Sequence, residues 1–356
     1  MGEMREKDDG EGMSGTREEL TGVPGLARLV VVDRTGSTND DLRSALTGVD
    51  GRLDLRAAAA WPHISALWAR RQDAGRGRAG RRWITPPGSA LTVSFVLRPL
   101  VPAAALAWLP LLAGLAARDV VDAILISARA SWRARTKWPN DVVLVPNERA
   151  GEGIAAGVGI GVGGGAGAAA VPVPAEIPGW GRARKVAGVL AELIPTAGGI
   201  GARTSAGTTG TADASGAVAA GADRGAACAV VLGIGVNTGQ SESELPVPWA
   251  TSLRLAGARV EPRALLEPLS ARLDELVAAW EAGEGDPDAG DGALGAALRR
   301  ACTTLGRRVR VDAPDGVLRG TAVDIAPGLV LRGADGTMRT VDAGDVSHVR
   351  TDGAVD

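Results

Sequence analysis

The stretch from Arg70 to Trp83 reads Arg-Arg-Gln-Asp-Ala-Gly-Arg-Gly-Arg-Ala-Gly-Arg-Arg-Trp, six arginines against one aspartate, with glycines at 75, 77 and 80. Guanidinium groups grip phosphate and carboxylate through paired N–H donors, and glycine lets a backbone come close to what it holds. The pattern reads as a loop that cradles a phosphate. No Gly-Lys-Ser/Thr follows it, so it is not a Walker loop. Trp83 adds an aromatic face that could pack on a purine. Alternating arginine and glycine also marks RNA-binding segments, and a sequence-tolerant nucleic-acid patch is the rival reading of this loop. Like charges so close together repel, so the loop is expected to order only around a ligand.

Lysine is scarce: of 39 basic residues only Lys7, Lys137 and Lys185 are lysine. Two of them stand where a compact, rotatable ammonium would differ from a planar guanidinium. Lys137 opens Lys-Trp-Pro-Asn-Asp, a rigid turn before a strand that presents a cation, the Asn140 amide and the Asp141 carboxylate together. A carboxylate beside phosphate-binding arginines suits Mg²⁺ or a base edge; the alternative is an Asx-type turn with Lys137 in solvent. Lys185 begins the apolar run Lys-Val-Ala-Gly-Val-Leu-Ala-Glu, whose Gly188 leaves room for a ligand or for another backbone. Gly233-Ile-Gly-Val-Asn237 ends a further apolar run, and its glycines also read as a β-bulge.

Other chemistries find little support. Cys228 and Cys302 are the only cysteines, and His63 and His348 the only histidines. That excludes a disulfide framework and a cysteine-rich zinc site, and it argues against a Ser/His triad. What is present is cationic, glycine-lined and aromatic. Such a set suits nucleotidyl transfer, where a protein positions reactants and neutralises phosphate charge.

The elements that must hold these residues read as α+β. With 356 residues, 45% hydrophobic and 22% charged, the chain can bury a large core, and its net charge of -2 gives no global field for nucleic acid or an anionic membrane. Residues 1–25 read as a disordered, cytosolic N-terminus, since the first twenty hold seven acids against three bases and no signal peptide. Ser37 and Thr38 before Asp40 and Asp41 predict a helix N-cap. Leu91, Val93, Phe95 and Leu97 predict one face of a strand, and further strands follow at 64–70, 136–138, 141–145, 186–193 and 229–236. A helix over 102–124 is apolar nearly all round, with a kink expected at Pro110. Leu266, Leu269, Leu273, Leu276, Val277 and Trp280 predict another helix. Gly/Ala-rich stretches at 146–184 and 197–227 read as mobile insertions. Short β-runs after Arg307, divided by Pro-Asp-Gly, Pro-Gly and Asp-Gly turns, predict a small barrel over 303–350.

Ser37-Thr38-Asn39, Gln72 with Gly75 to Arg81, Lys137 to Asp141, Lys185 to Gly188 and Gly233 to Asn237 stand in an order that resembles the biotin protein ligases. The resemblance runs over Leu26 to Leu255 and the C-terminal β-run. It implies a class II synthetase-like catalytic domain with a mixed sheet and helices over 26–300, followed by an SH3-like barrel. ATP and biotin would be substrates, with Mg²⁺, and biotinyl-5'-AMP the intermediate. The acceptor would be a lysine of the biotin carboxyl carrier domain of an acyl-CoA carboxylase. By position, Ser37, Thr38, Asn39, Gln72, Arg76, Gly77 and Arg78 would bind biotin. Lys185 and Arg78 would be catalytic, Lys185 between carboxylate and phosphate. Arg81, Trp83, Lys137, Asn140, Asp141 and Asn237 would serve the nucleotide, with Asp141 the candidate Mg²⁺ ligand. Fewer than thirty residues precede the first expected strand, so the form implied is monofunctional, without a DNA-binding domain, cytoplasmic and off the membrane, with a homodimer left open. Lipoate ligation in the same fold is the near alternative.

Overall fold

The computed structural model describes residues 13–147, 174–196, 228–314, 316–342 and 344–348. Most of the two expected insertions, residues 148–173 and 197–227, lies outside the described residues. The chain begins with two antiparallel strands, β1 (Met13–Leu20) and β2 (Arg28–Thr35). Next come helices α1 (Thr38–Leu46) and α2 (Leu55–Ala59), then β3 (Ser65–Gln72), parallel to β2. A two-stranded ribbon, β4 (Gly75–Arg76) and β5 (Arg82–Trp83), carries the arginine–glycine loop. After it follow β6 (Ala90–Leu97), α3 (Leu109–Ser127), β7 (Trp132–Lys137) and β8 (Asp141–Pro146). The long strands β9 (Arg184–Pro195) and β10 (Cys228–Asn237) complete an eight-stranded mixed sheet in the order β1-β2-β3-β6-β10-β9-β8-β7.

Strand alternation sends side chains to two cores. Leu29, Val31, Leu91, Val93, Phe95 and Leu97 face α3 and the next helix, α4 (Leu266–Ala282). Val30, Val32, Leu67, Val96 and Val231 face Leu42 and Leu46 of α1. Each fully buried Leu, Val or Phe contributes about 1.5–3 kcal/mol. Both faces of the sheet centre are therefore covered, and β6 is buried along its whole length.

Three expectations change. Residues 13–20, read as part of a disordered terminus, form an edge strand whose acids are neutralised: Glu19 pairs with Arg28 and Glu18 with Arg70. Charge that argued for disorder is spent on the neighbouring strands. Pro110 kinks nothing; it sits in the first turn of α3, where its missing N–H needs no partner, and residues 103–108 before it form a 3-10 turn. The C-terminal strands do not close. After α5 (Ala293–Ala301) come β11 (Arg308–Ala313), β12 (Gly316–Ala326), β13 (Gly328–Arg332), β14 (Met338–Val341) and β15 (Asp345–His348). They form an antiparallel sheet, β14-β13-β12-β11-β15, SH3-like but not a closed barrel, because the four-residue strands β14 and β15 lie at opposite edges.

This sheet is fastened to the larger one beside the Lys137 turn. Trp138 donates from its backbone to Thr304 Oγ1 at 3.1 Å and from Nε1 to the Pro327 carbonyl at 3.2 Å. Arg299 bridges Asp288 and Asp324 at 2.6 Å each. Among the described residues no helix is long and apolar enough to cross a membrane.

Candidate active site

On one face of the large sheet, small side chains leave a floor. Gly235 of β10 stands between Thr92 of β6 and Gly188 of β9, and Gly233 between Ser94 and Leu190. The register runs through both glycines without a shift, so the bulge reading of this segment is corrected. The glycines are there for clearance. A Cβ at Gly235 would lie 2.6 Å from the Trp83 indole, one at Gly188 3.3 Å from it, and one at Gly233 2.3 Å from Asn39 Oδ1. Trp83 and Asn39 thus rest on the floor where other strands would carry side chains. Trp83 Nε1 is buried with no acceptor among the described residues.

Above this floor opens a cavity of about 400 Å³ lined by every site residue expected from the sequence, from Ser37 to Asn237. Six cations line it, Arg76, Arg78, Arg81, Arg82, Lys137 and Lys185, against two carboxylates, Asp141 and Asp345. The arginine–glycine loop and the Lys185 ammonium share one cleft.

The α1 end is polar and fully wired. Ser37 caps α1 by accepting from the Asp40 N–H at 3.4 Å. Gln72 Oε1 accepts from the Thr38 N–H at 3.0 Å and from Thr38 Oγ1 at 3.1 Å. Asn39 donates to the Leu190 carbonyl at 3.3 Å and to Glu192 at 2.8 Å, and accepts from Ser94 Oγ at 2.6 Å.

The loop's charges are matched rather than repelling. Four of its six arginines hold ion pairs: Arg70 with Glu18, Arg71 with Asp73, Arg76 with Asp40, and Arg81 with Asp345 at 2.5 Å. Little uncompensated charge is left for a nucleic-acid strip. Arg78 donates to Asn140 Oδ1 at 3.4 Å, and burial pulls its guanidinium below the ordinary arginine value.

The Lys137 turn does more than present three groups. Asn140 donates to the Val189 carbonyl at 2.6 Å, which locks the turn to β9. Lys185 Nζ stands 2.5 Å from Asp141 Oδ1 and 5.6 Å from the centroid of the Trp83 ring. Lys137 is not in solvent, which removes that alternative. Only 4% exposed, it donates to the Val346 carbonyl of β15 at 2.6 Å and lies 4.2 Å from the centroid of the Trp180 ring. Burial pushes its ammonium below the ordinary lysine value. Asn237 spends its amide on Thr251 and Gln240, at 2.9 Å each, and so braces the chain that follows β10.

Several wall residues gave no sequence signal. Trp180, inside a segment read as insertion, stacks on Trp249 with ring centroids 5.8 Å apart and planes 10° apart. The Trp249 carbonyl accepts from the Lys185 N–H at 2.6 Å. Asp345 and Val346 of the wall, and Ser94 and Glu192 behind it on Asn39, are ordinary strand residues until the topology brings them here. Among the described residues no three His, Cys, Asp or Glu side chains converge as a metal cage, and Lys185 already neutralises Asp141.

Comparison with known proteins bears on the whole arrangement. Residues 53–204 match the biotin/lipoate A/B protein ligase family, and residues 304–349 the biotin protein ligase C-terminal domain. A biotin–[acetyl-CoA-carboxylase] ligase of Mycobacterium tuberculosis is 30% identical over 341 residues, 94% of each chain. One of Paracoccus denitrificans is 38% identical over 118 residues, 33% of this chain and 42% of its own. A biotin protein ligase of Aquifex aeolicus, solved in complex with biotin and ATP, shares the fold with a TM-score of 0.54 at 20% identity, over 91% of this chain and 99% of its own. The likeness runs through both sheets rather than through one motif, and on that breadth the chain belongs to the biotin protein ligase family.

Proposed function

We propose that the chain ligates biotin to protein in two steps. In the first, a biotin carboxylate oxygen attacks the α-phosphorus of ATP, and the bond to the bridging oxygen breaks. Pyrophosphate leaves and biotinyl-5'-AMP remains. In the second, a lysine amine of a biotin carboxyl carrier domain attacks the mixed anhydride. AMP leaves with the bonding electron pair and the amine loses a proton.

The observation that carries this reading is the shared cleft, where the arginine–glycine loop, the glycine floor and six cations surround about 400 Å³. Ser37, Thr38, Asn39 and Gln72 supply polar groups for the ureido ring, with Gly77 and Arg78 closing over it. Lys185 and Arg78 neutralise charge where carboxylate and α-phosphate meet. A carboxylate is ionised near neutral pH, so the first step needs no base. Trp83 gives the adenine a flat partner, and Arg81, Lys137, Asn140 and Asp141 face the phosphates. Asn237 acts through the brace it makes. Magnesium travels with ATP, held chiefly by phosphate oxygens, and lowers their charge. Cytoplasmic placement is part of this proposal, since the ligase, ATP and the carboxylase subunit must share one compartment.

Incubation with biotin, MgATP and a carrier domain, read by avidin blot, tests the reading. Biotin-dependent labelling of one carrier lysine supports it. Label transfer from lipoate in preference to biotin would move the chain to lipoate ligation, and the absence of both transfers would refute it.

A further inference from the structure

Behind the cavity floor, one carboxylate ties together three elements that close on the biotin end. Glu192 lies two residues past Leu190 on β9 and so on the same face as Gly188 and Leu190. Its side chain is 16% exposed, and a carboxylate so enclosed needs donors. It has three. Asn39 Nδ2 donates at 2.8 Å, Arg43 Nη1 donates at 3.2 Å, and Arg76 Nη1 stands 3.6 Å away. Arg76 also donates to Asp40.

Two consequences follow from the chemistry of these groups. Asn39 can turn only one way, since a flipped amide would set its oxygen against the Glu192 carboxylate and the Leu190 carbonyl. With the amide so set, Oδ1 meets the Ser94 hydroxyl, which also reaches Thr38 Oγ1 at 2.7 Å. The second consequence concerns Arg76. It lines the cavity, yet its guanidinium is engaged by Asp40 of α1 and Glu192 of β9. That charge anchors the loop instead of meeting a phosphate.

We propose that Glu192 is a positioning residue for biotin: it orients Asn39 and, together with Asp40 of α1, holds Arg76 and so latches the arginine–glycine loop. The proposal rests on the biotin-ligase reading for its ligand, but the latch itself does not. Glu192→Gln keeps the size and shape but removes the charge, and its one NH₂ group must replace either the oxygen that accepts from Asn39 or the oxygen beside Arg43 and Arg76. Losing a hydrogen bond to a charged group corresponds to about a ten- to hundredfold change in an equilibrium.

The test is biotin-dependent ATP–pyrophosphate exchange, with limited trypsin cleavage of the ligand-free protein alongside. Expected for Glu192→Gln is a KM for biotin raised about tenfold or more, with kcat and the KM for ATP near the wild-type values. Arg76→Gln, at a half-exposed position, should repeat that split, and the double variant should be no worse than the worse single one. Glu192→Asp, which keeps the charge, should recover part of the loss. Glu192→Gln should also be cut faster by trypsin between Arg76 and Arg82. Additive single effects, equal loss in both KM values, or unchanged trypsin cleavage would overturn the latch. If Glu192→Gln does not fold, the split in Arg76→Gln decides. A wild-type protein with no biotin-dependent exchange defeats the biotin reading, and the trypsin comparison still decides the latch.

Discussion

Alanine at position 235 tests the glycine floor without touching a charged group. The added Cβ would lie 2.6 Å from Cε2 of Trp83 and 2.8 Å from Cζ2 and Nε1, distances that real contacts do not show. The strand backbone accepts alanine there, so the obstacle is the indole alone. Trp83 sits in a two-residue strand at the rim, paired with Gly75, and that ribbon can shift while the eight-stranded sheet stays whole. Overpacking of this kind costs about 1–3 kcal/mol. Because the ribbon gives way instead of the core, the cost falls on the placement of Trp83 over the floor, and if binding needs that placement it becomes about five- to 150-fold weaker. Titration calorimetry with biotin and with ATP reads the loss, and a thermal melt shows the fold retained. Gly188→Ala, whose nearest contacts are 3.2–3.3 Å, should be milder, and Gly80→Ala, with open space around it, should strain only the positive φ of 71°. Unchanged affinity in Gly235→Ala, or a graver loss in Gly188→Ala, would refute the clearance argument.

Lys185→Ala should reduce biotinyl-5'-AMP formation about 10²–10³-fold with an unaltered circular dichroism spectrum, and near wild-type turnover would remove Lys185 from the chemistry. The Arg81–Asp345 pair is 60% and 55% exposed, so Asp345→Asn should cost less than about 1 kcal/mol of stability and lower the KM for ATP by releasing Arg81. A raised KM would show that Asp345 is needed as it stands. Lys137 makes stability depend on alkaline pH. Its folded value lies below 10.5 because of burial, so between that value and 10.5 the unfolded chain binds more protons and stability rises with pH. Lys137→Met should flatten that rise in denaturant melts, and an unchanged slope would contradict it.

Much of the fold was legible because one-sided and two-sided burial leave different patterns. The run 91–97 announced a strand, and Ser37 before two aspartates announced a capped helix, because both signals are local. Pro110 misled, since a proline in the first turn and one in the middle of a helix look alike until the helix start is known. The acids near the N-terminus misled because their partners, Arg28 and Arg70, are contributed by other strands. In the site, arginine, lysine and glycine motifs were visible as chemistry, but the meaning of Gly233 and Gly235 was not. A glycine that clears space for a distant side chain looks in sequence like one that bends a strand. Trp180 and Asp345 were invisible for the same reason: nothing near them in the chain says what they face, and Glu192 showed its face but not its partners.

In the proposed reaction the arginine–glycine loop and Lys185 act on one bound pair of substrates. Isotope exchange between pyrophosphate and ATP, measured with and without biotin and without any carrier, addresses it most directly. Exchange should require biotin, fall about 10²–10³-fold in Lys185→Ala and fall strongly in Arg78→Ala. Exchange that proceeds without biotin, or that survives both substitutions, would contradict it.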